Sequence, residues 1–196
     1  MASDVDICNS ALNMIGASNI ISLTEDSRAA RVCNQRFEFV RDATFRAHPW
    51  NCLVTRTSLA ADSETPAFEF EYQHTLPTDP YCLRVLRPQD IDTVYRIEGR
   101  KVMSNATPFK MIYVARVTDA NEYDQLLIET IASRLAADIS YALVNSAALW
   151  QSLMAMYEGK LSEARFVDAT EGTPDNIINV DRATYVESDM FIASRF

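Results

Sequence analysis

Residues 24–50 read TEDSRAARVCNQRFEFVRDATFRAHPW, and this stretch decides the fold class. Ala30, Cys33, Phe37, Val40, Thr44 and Ala47 recur at steps of 3, 4, 3, 4 and 3 residues. Those steps stack small and apolar side chains on one helix face and leave most charges on the other. Thr24 with Ser27 supplies a start, since a hydroxyl there accepts from the unpartnered first amides. His48-Pro49 supplies the stop, because the residue before proline is pushed out of helical backbone. About 22 helical residues make a rod of roughly 33 Å. A rod with one apolar face needs partners, and the flanks provide them.

Upstream, Val5, Cys8, Ala11, Leu12 and Ile15 mark a short helix capped by Ser3 or Asp4 and closed by Gly16. The connector Ala17 to Leu23 joins it to the long helix. Downstream, Tyr123, Leu127, Ile131, Leu135 and Ile139 step by four, with Ala132, Ala136 and Ala142 at close-packed positions. Asn145-Ser146 interrupts the period, and Leu149, Trp150, Leu153, Tyr157, Leu161 and Ala164 continue it to about Val167. Asn and Ser compete for backbone hydrogen bonds, so the break predicts an antiparallel helical hairpin rather than one kinked rod.

Between the helical halves the texture is β. Leu53–Leu59, Phe68–Tyr72, Cys82–Leu86 and Phe109–Val117 are strand candidates, and Val94 to Met103 forms a hairpin around Glu98-Gly99-Arg100. Five of the seven prolines fall here, at positions 66, 77, 80, 88 and 108, as a sheet with edges and turns requires. The expected class is therefore α+β. A helical bundle (1–50 and 119–168) carries an inserted small antiparallel β-sheet (51–118) and an extended C-terminal arm (169–196). The arm has no sustained period and is acidic. Yet Ile177, Ile178, Val180, Tyr185, Val186, Met190, Phe191, Ile192 and Phe196 are too apolar for a solvated tail, which suits docking on a partner.

Composition limits function. The chain has 196 residues, 48% hydrophobic and 23% charged, which suffices for a real core. A net charge of −9 argues against a surface that grips nucleic acid. Cys8, Cys33, Cys52 and Cys82 lie 25, 19 and 30 residues apart, too far for a metal or disulfide framework, so buried reduced thiols are expected. The first residues lack a signal-peptide pattern and no run of 18 apolar residues occurs, so no membrane span and a cytosol-like setting are expected.

No catalytic motif stands out: there is no nucleophile elbow, phosphate loop or HExxH, and no cofactor is expected. His48 and His74 read as structural or surface histidines. Asp90 and Asp92 are a common loop pair. The alternative to a binding role is a small cytosolic hydrolase whose site gathers His74, Asp79 and Asp90; another is a scaffold that holds a partner helix. Arg28, Arg31, Arg36, Arg41 and Arg46 stud the long helix against four acids. They serve either a solvated face with pairs such as Glu38–Arg41 and Asp42–Arg46, or a subunit contact, where arginine favours planar pairing.

The ordered set Ile7-Cys8-Asn9-Ser10-Ala11-Leu12, Ile15-Gly16-Ala17, Ile20 to Leu23, Arg41-Asp42 and Pro49-Trp50 resembles the tail tubular protein A family. These are head-to-tail adaptors of short-tailed bacteriophages. Tyr72, Leu76-Pro77, Asp79, Leu83-Arg84-Val85, Tyr113-Val114, Ala132 and Leu135-Ala136-Ala137 extend the likeness over about residues 5–168. Pro80-Tyr81, inserted before Cys82, and His74, in place of an aromatic, depart from the pattern and bear on the shape of the sheet. So does the segment after Trp50, which is less aromatic than usual.

The resemblance implies a virion protein without enzymatic activity, assembled in the host cytoplasm as a ring of twelve. It implies that the helical part and arm grip the portal protein, and that the sheet faces the tail nozzle protein. Genome DNA would pass through the ring without specific binding. An acidic or neutral wall suits that passage, because it repels phosphate.

Overall fold

The computed structural model describes residues 2–171. Helix α1 (Asp4–Met14) opens with a capping box: Ser3 Oγ accepts from the Asp6 amide at 3.2 Å, and the Asp6 carboxylate accepts from the Ser3 amide at 3.0 Å. Gly16, at φ +72°, turns the chain out of it. The long helix α2 (Arg28–Ala47) starts at Ser27, whose Oγ accepts from the Ala30 amide at 3.1 Å, so Thr24 lies outside it. His48 is extended, as the following proline demands. Trp50 then folds back under the helix end, 1% exposed, donating from Nε1 to the Thr44 carbonyl at 3.0 Å.

Helices α3 (Gln125–Val144) and α4 (Ala147–Thr170) form the expected hairpin. Asn145 takes left-handed backbone (φ +56°), and Ser146 Oγ caps α4 by accepting from Leu149. Glu129 meets Lys160 and Arg134 lies over Tyr157, so the two run antiparallel. Arg28 meets Ala142 and Arg36 meets Asp138, so α2 is antiparallel to α3 as well. Helix α3 is buried on several sides, including Thr130 to Ser133 and Leu135 to Ala137 without a gap. Its small residues let neighbours approach. Its hydroxyls close on their own helix: Thr130 donates to Leu126 at 2.7 Å, Ser133 to Thr130 at 2.9 Å and Ser140 to Ala137 at 2.8 Å.

The β region differs from the single small sheet expected. It holds six strands: β1 (Val54–Leu59), β2 (Tyr72–Thr75), β3 (Cys82–Pro88), β4 (Tyr95–Glu98), β5 (Lys101–Ser104) and β6 (Phe109–Ala115). These make two three-stranded antiparallel sheets, ordered β1-β6-β3 and β2-β5-β4. Leu53, Leu83 and Val114 join the helical core, whereas Phe109, Met111, Tyr113, Ala115, Cys82 and Val85 pack with Leu76 and Val102 of the second sheet region. The alternation of β6 thus serves two cores, one on each face of the first sheet. Register shifts at Cys82/Arg84 and Val85/Arg87 let β3 follow it.

The expected strand Phe68–Tyr72 is mostly a turn. Glu69 has φ +75°, the Phe70 amide donates to the Phe68 carbonyl at 2.9 Å, and Phe68 is 80% exposed. Alternation alone makes no strand where no neighbour offers a ladder; only Tyr72 enters β2.

Candidate docking surfaces

The arginines of α2 go to different places. Arg31 pairs with Asp26 in solvent at 3.1 Å. Arg28 donates to the Ala142 carbonyl at 2.5 Å, and Arg36 holds Asp138 with two hydrogen bonds, at 2.5 and 3.1 Å. Asp138 raises the Arg36 pKa. Arg46 donates to the Leu83 carbonyl, tying the helix end to β3. Arg41 departs from both expectations, since it is only 4% exposed. It falls in the buried row Phe37, Val40, Arg41, Thr44 and Phe45, with its guanidinium near the rings of Phe37 and Phe45. Asp42 bridges Arg41 at 3.1 Å and Arg116 at 2.5 Å, in place of the expected Asp42–Arg46 pair. Burial pushes the neighbouring Tyr123 up to about 12, and its hydroxyl donates to Val117 at 2.8 Å. Arg28, Arg31, Arg36 and Arg46 are all exposed, so of the five only Arg41 is buried.

None of the cavities described among residues 2–171 is lined by more than one residue of the hydrolase alternative. His74 is fully buried, its ring nitrogens 3.0 Å from the Ala60 carbonyl and 3.1 Å from that of Ala106. Asp90 lines a surface cavity of about 320 Å³ that includes neither His74 nor Asp79. His48 is structural: its Nε2 lies 3.0 Å from Asp168 Oδ2. Cys8, Cys33 and Cys82 are buried and Cys52 half-buried, all as free thiols; a hydrogen bond with Cys33 and burial push the Cys8 thiol up. Among the described residues no cluster of His, Cys, Asp or Glu forms a metal site, and no helix is long and apolar enough to cross a membrane.

Among the described residues, two groups of apolar side chains are exposed together, while Ile21, Phe39 and Phe166 are exposed on other elements. At the hairpin tip, Tyr141 (60% exposed), Val144 and Trp150 project outward, and Tyr141, Ala147 and Trp150 line a shallow cavity of about 240 Å³. Trp150 was expected in the core stripe, but the pair Leu149 and Leu153 occupies that stripe and turns Trp150 to solvent. Around the second sheet, Phe68, Ile91, Val94 and Ile97 are exposed, and the 3.2 Å ion pair Glu69–Arg96 ties the turn that follows Phe68 to β4. Grouped apolar exposure marks interaction surfaces more than single residues do. The 20 residues of α3 make a rod about 30 Å long, with the tip at its last turn and the β region joined before its first.

Periodicity alone did not reveal the charges of the first sheet. Strand register brings Arg56, Arg87 and Lys110 around a shallow cavity of about 440 Å³, with Ser58, Gln89 and Ile112 beside them. Only pairing places these residues together, so spacing carried no signal. The nine apolar arm residues, Ile177 to Phe196, lie outside the described residues. No protein-family model matches the chain, and no curated protein matches it in sequence.

Proposed function

We propose that the chain is a head-to-tail adaptor of a short-tailed phage particle, twelve copies forming a ring between the portal and the tail nozzle. It acts by shape and ordered docking, with no chemical step. The observation that carries this reading is the pair of apolar surfaces on different parts of the chain, one at the hairpin tip beyond the roughly 30 Å rod of α3 and one around the second sheet. A connector needs two separate faces on a stiff spacer. The ordered residue set that resembles the tail tubular protein A family supports the same function.

In this reading the hairpin tip and the arm from Ile177 to Phe196 engage the portal, and the second sheet faces the nozzle. Exposed Arg28, Arg31 and Arg36 face neighbouring copies, while buried Arg41 serves its own chain and exposed Arg46 ties the helix end to β3. The β region carries eight basic and eight acidic residues, so the excess acid belongs to the helices and arm. Such a ring passes genome DNA without gripping it.

Mass photometry tests the proposal. The chain is measured alone, with the portal protein of the same particle, and with portal and nozzle together. A complex of twelve copies on the portal is expected, and it then recruits the nozzle. A chain that stays monomeric and unbound in both mixtures overturns the proposal.

A further inference from the structure

Three successive rows of the first sheet carry cations on one face. Val54, Val114 and Arg84 share a row, Arg56, Ile112 and Arg87 the next, and Ser58 and Lys110 the third. Rows on a common face lie about 7 Å apart, two residues along the strand. Val114 is under the helices, but Ile112 is only half-buried and Lys110 exposed, so the face emerges from the bundle there. No acidic residue lines the cavity at these rows. Among the described residues, neither Arg56 nor Lys110 has a carboxylate within ion-pair distance.

The chain itself supplies a complementary segment. Residues 172–196 hold Asp175, Asp181, Glu187 and Asp189 against Arg182 and Arg195. They follow α4, whose Asp168 accepts from the Asn51 amide at 2.9 Å, and Asn51 lies three residues before β1. The described chain therefore ends near the start of the strand that bears Arg56. Five residues separate Asn51 from Arg56, a distance of at most about 17 Å, whereas 25 residues span up to about 80 Å. In an extended chain, side chains two positions apart, as Glu187 and Asp189 are, sit about 7 Å apart and match the rows. Tethering gives the contact an effective concentration on the order of millimolar. Nucleic acid fits less well: the rows span only about 14 Å, and the whole chain is acidic.

We infer that segment 172–196 docks in cis on the face formed by Arg84, Arg56, Arg87 and Lys110. A partner that takes the segment must first displace it. The contact needs no other protein and stands apart from the adaptor proposal.

The test is tryptic cleavage after Arg182 in the full chain, followed by mass spectrometry at about 0.05 M and 0.5 M NaCl, between which screening rises steeply. Cleavage is expected to be slow at low salt. It should be about tenfold faster at high salt and in Arg56→Glu/Lys110→Glu, the combined effect of a few exposed ion pairs. Glu187→Gln/Asp189→Asn leaves the sheet untouched and should do the same. Adding Glu187→Lys/Asp189→Lys to Arg56→Glu/Lys110→Glu should restore protection. Equal rates in every variant overturn the inference. Protection that grows with protein concentration also overturns it, by showing contact between copies. So does single-stranded DNA that binds the face without changing cleavage at Arg182.

Discussion

Asn9 satisfies both backbone groups of Ile20: its Nδ2 donates to the Ile20 carbonyl at 2.9 Å, and its Oδ1 accepts from the Ile20 amide at 2.8 Å. One side chain thereby pins the α1–α2 connector to α1 and holds Ile20 in the core at 3% exposure. Asn9→Ala should cost about 1–3 kcal/mol, because two part-buried backbone groups lose their partner. Asn9→Asp keeps the acceptor but sets a carboxylate oxygen against the Ile20 carbonyl, two acceptors with no proton between them, so a loss at least as large is expected at neutral pH. Urea denaturation measures both, and wild-type stability in Asn9→Ala would remove the pin.

Trp50 separates packing from hydrogen bonding. Trp50→Phe loses mainly the donation to Thr44 and should cost about 0.5–1.5 kcal/mol. Trp50→Ala also empties a buried site and should cost about 3–5 kcal/mol. Equal losses in thermal unfolding would contradict this division.

The two central arginines of α2 should differ in their response to salt. Arg36 is half exposed, so Arg36→Ala should cost under about 1 kcal/mol, and less at high salt. Arg41→Ala should cost about 3 kcal/mol with little salt dependence, because it empties a buried site between Phe37 and Phe45 and leaves the half-buried Asp42 carboxylate with Arg116 alone. Denaturation at two ionic strengths compares them.

Asp4 gives a pH signature. Desolvation, opposed by Arg41, raises its carboxyl above the ordinary 3.8, and its Oδ1 is buried without a hydrogen bond. A folded-state pKa above the unfolded one means the ionised form opposes folding at neutral pH. The opposition fades as pH falls through the folded pKa and is gone below 3.8. Asp4→Asn should therefore be more stable than wild type at pH 7, with the difference vanishing near pH 3. A gain that persists in acid would exclude ionisation as the cause.

The hairpin tip should matter to binding and not to folding. Tyr141→Ser/Trp150→Ser changes exposed residues, so stability should stay within about 0.5 kcal/mol while portal binding in mass photometry falls. Undiminished binding would take the tip out of the portal contact.

The helices were legible because burial and spacing coincide: each step along Ala30, Cys33, Phe37 and Val40 lands on a buried position. The Asn145-Ser146 break was legible for the same local reason, a left-handed residue followed by a cap. Pairing between distant strands was not. Nothing local says that β6 lies between β1 and β3, or that Val102 and Phe109 close a second core. Phe68 and Phe70 carry strand-like alternation without a ladder, and Trp150 carries a core-like side chain one position off the buried stripe. Arg41 sits on the apolar face because Asp42 and two aromatic rings receive it, a tertiary arrangement that spacing cannot encode.

The Asp168 contacts determine where tension in the chain goes. Its carboxylate meets the His48 ring and the Asn51 amide, and its carbonyl accepts from Asn51 Nδ2 at 2.7 Å. A pull on the residues beyond 171 thus reaches the hinge between α2 and β1 before it reaches the hairpin packing. Whatever seizes the C-terminal end therefore loads the joint between helices and sheets at Asn51.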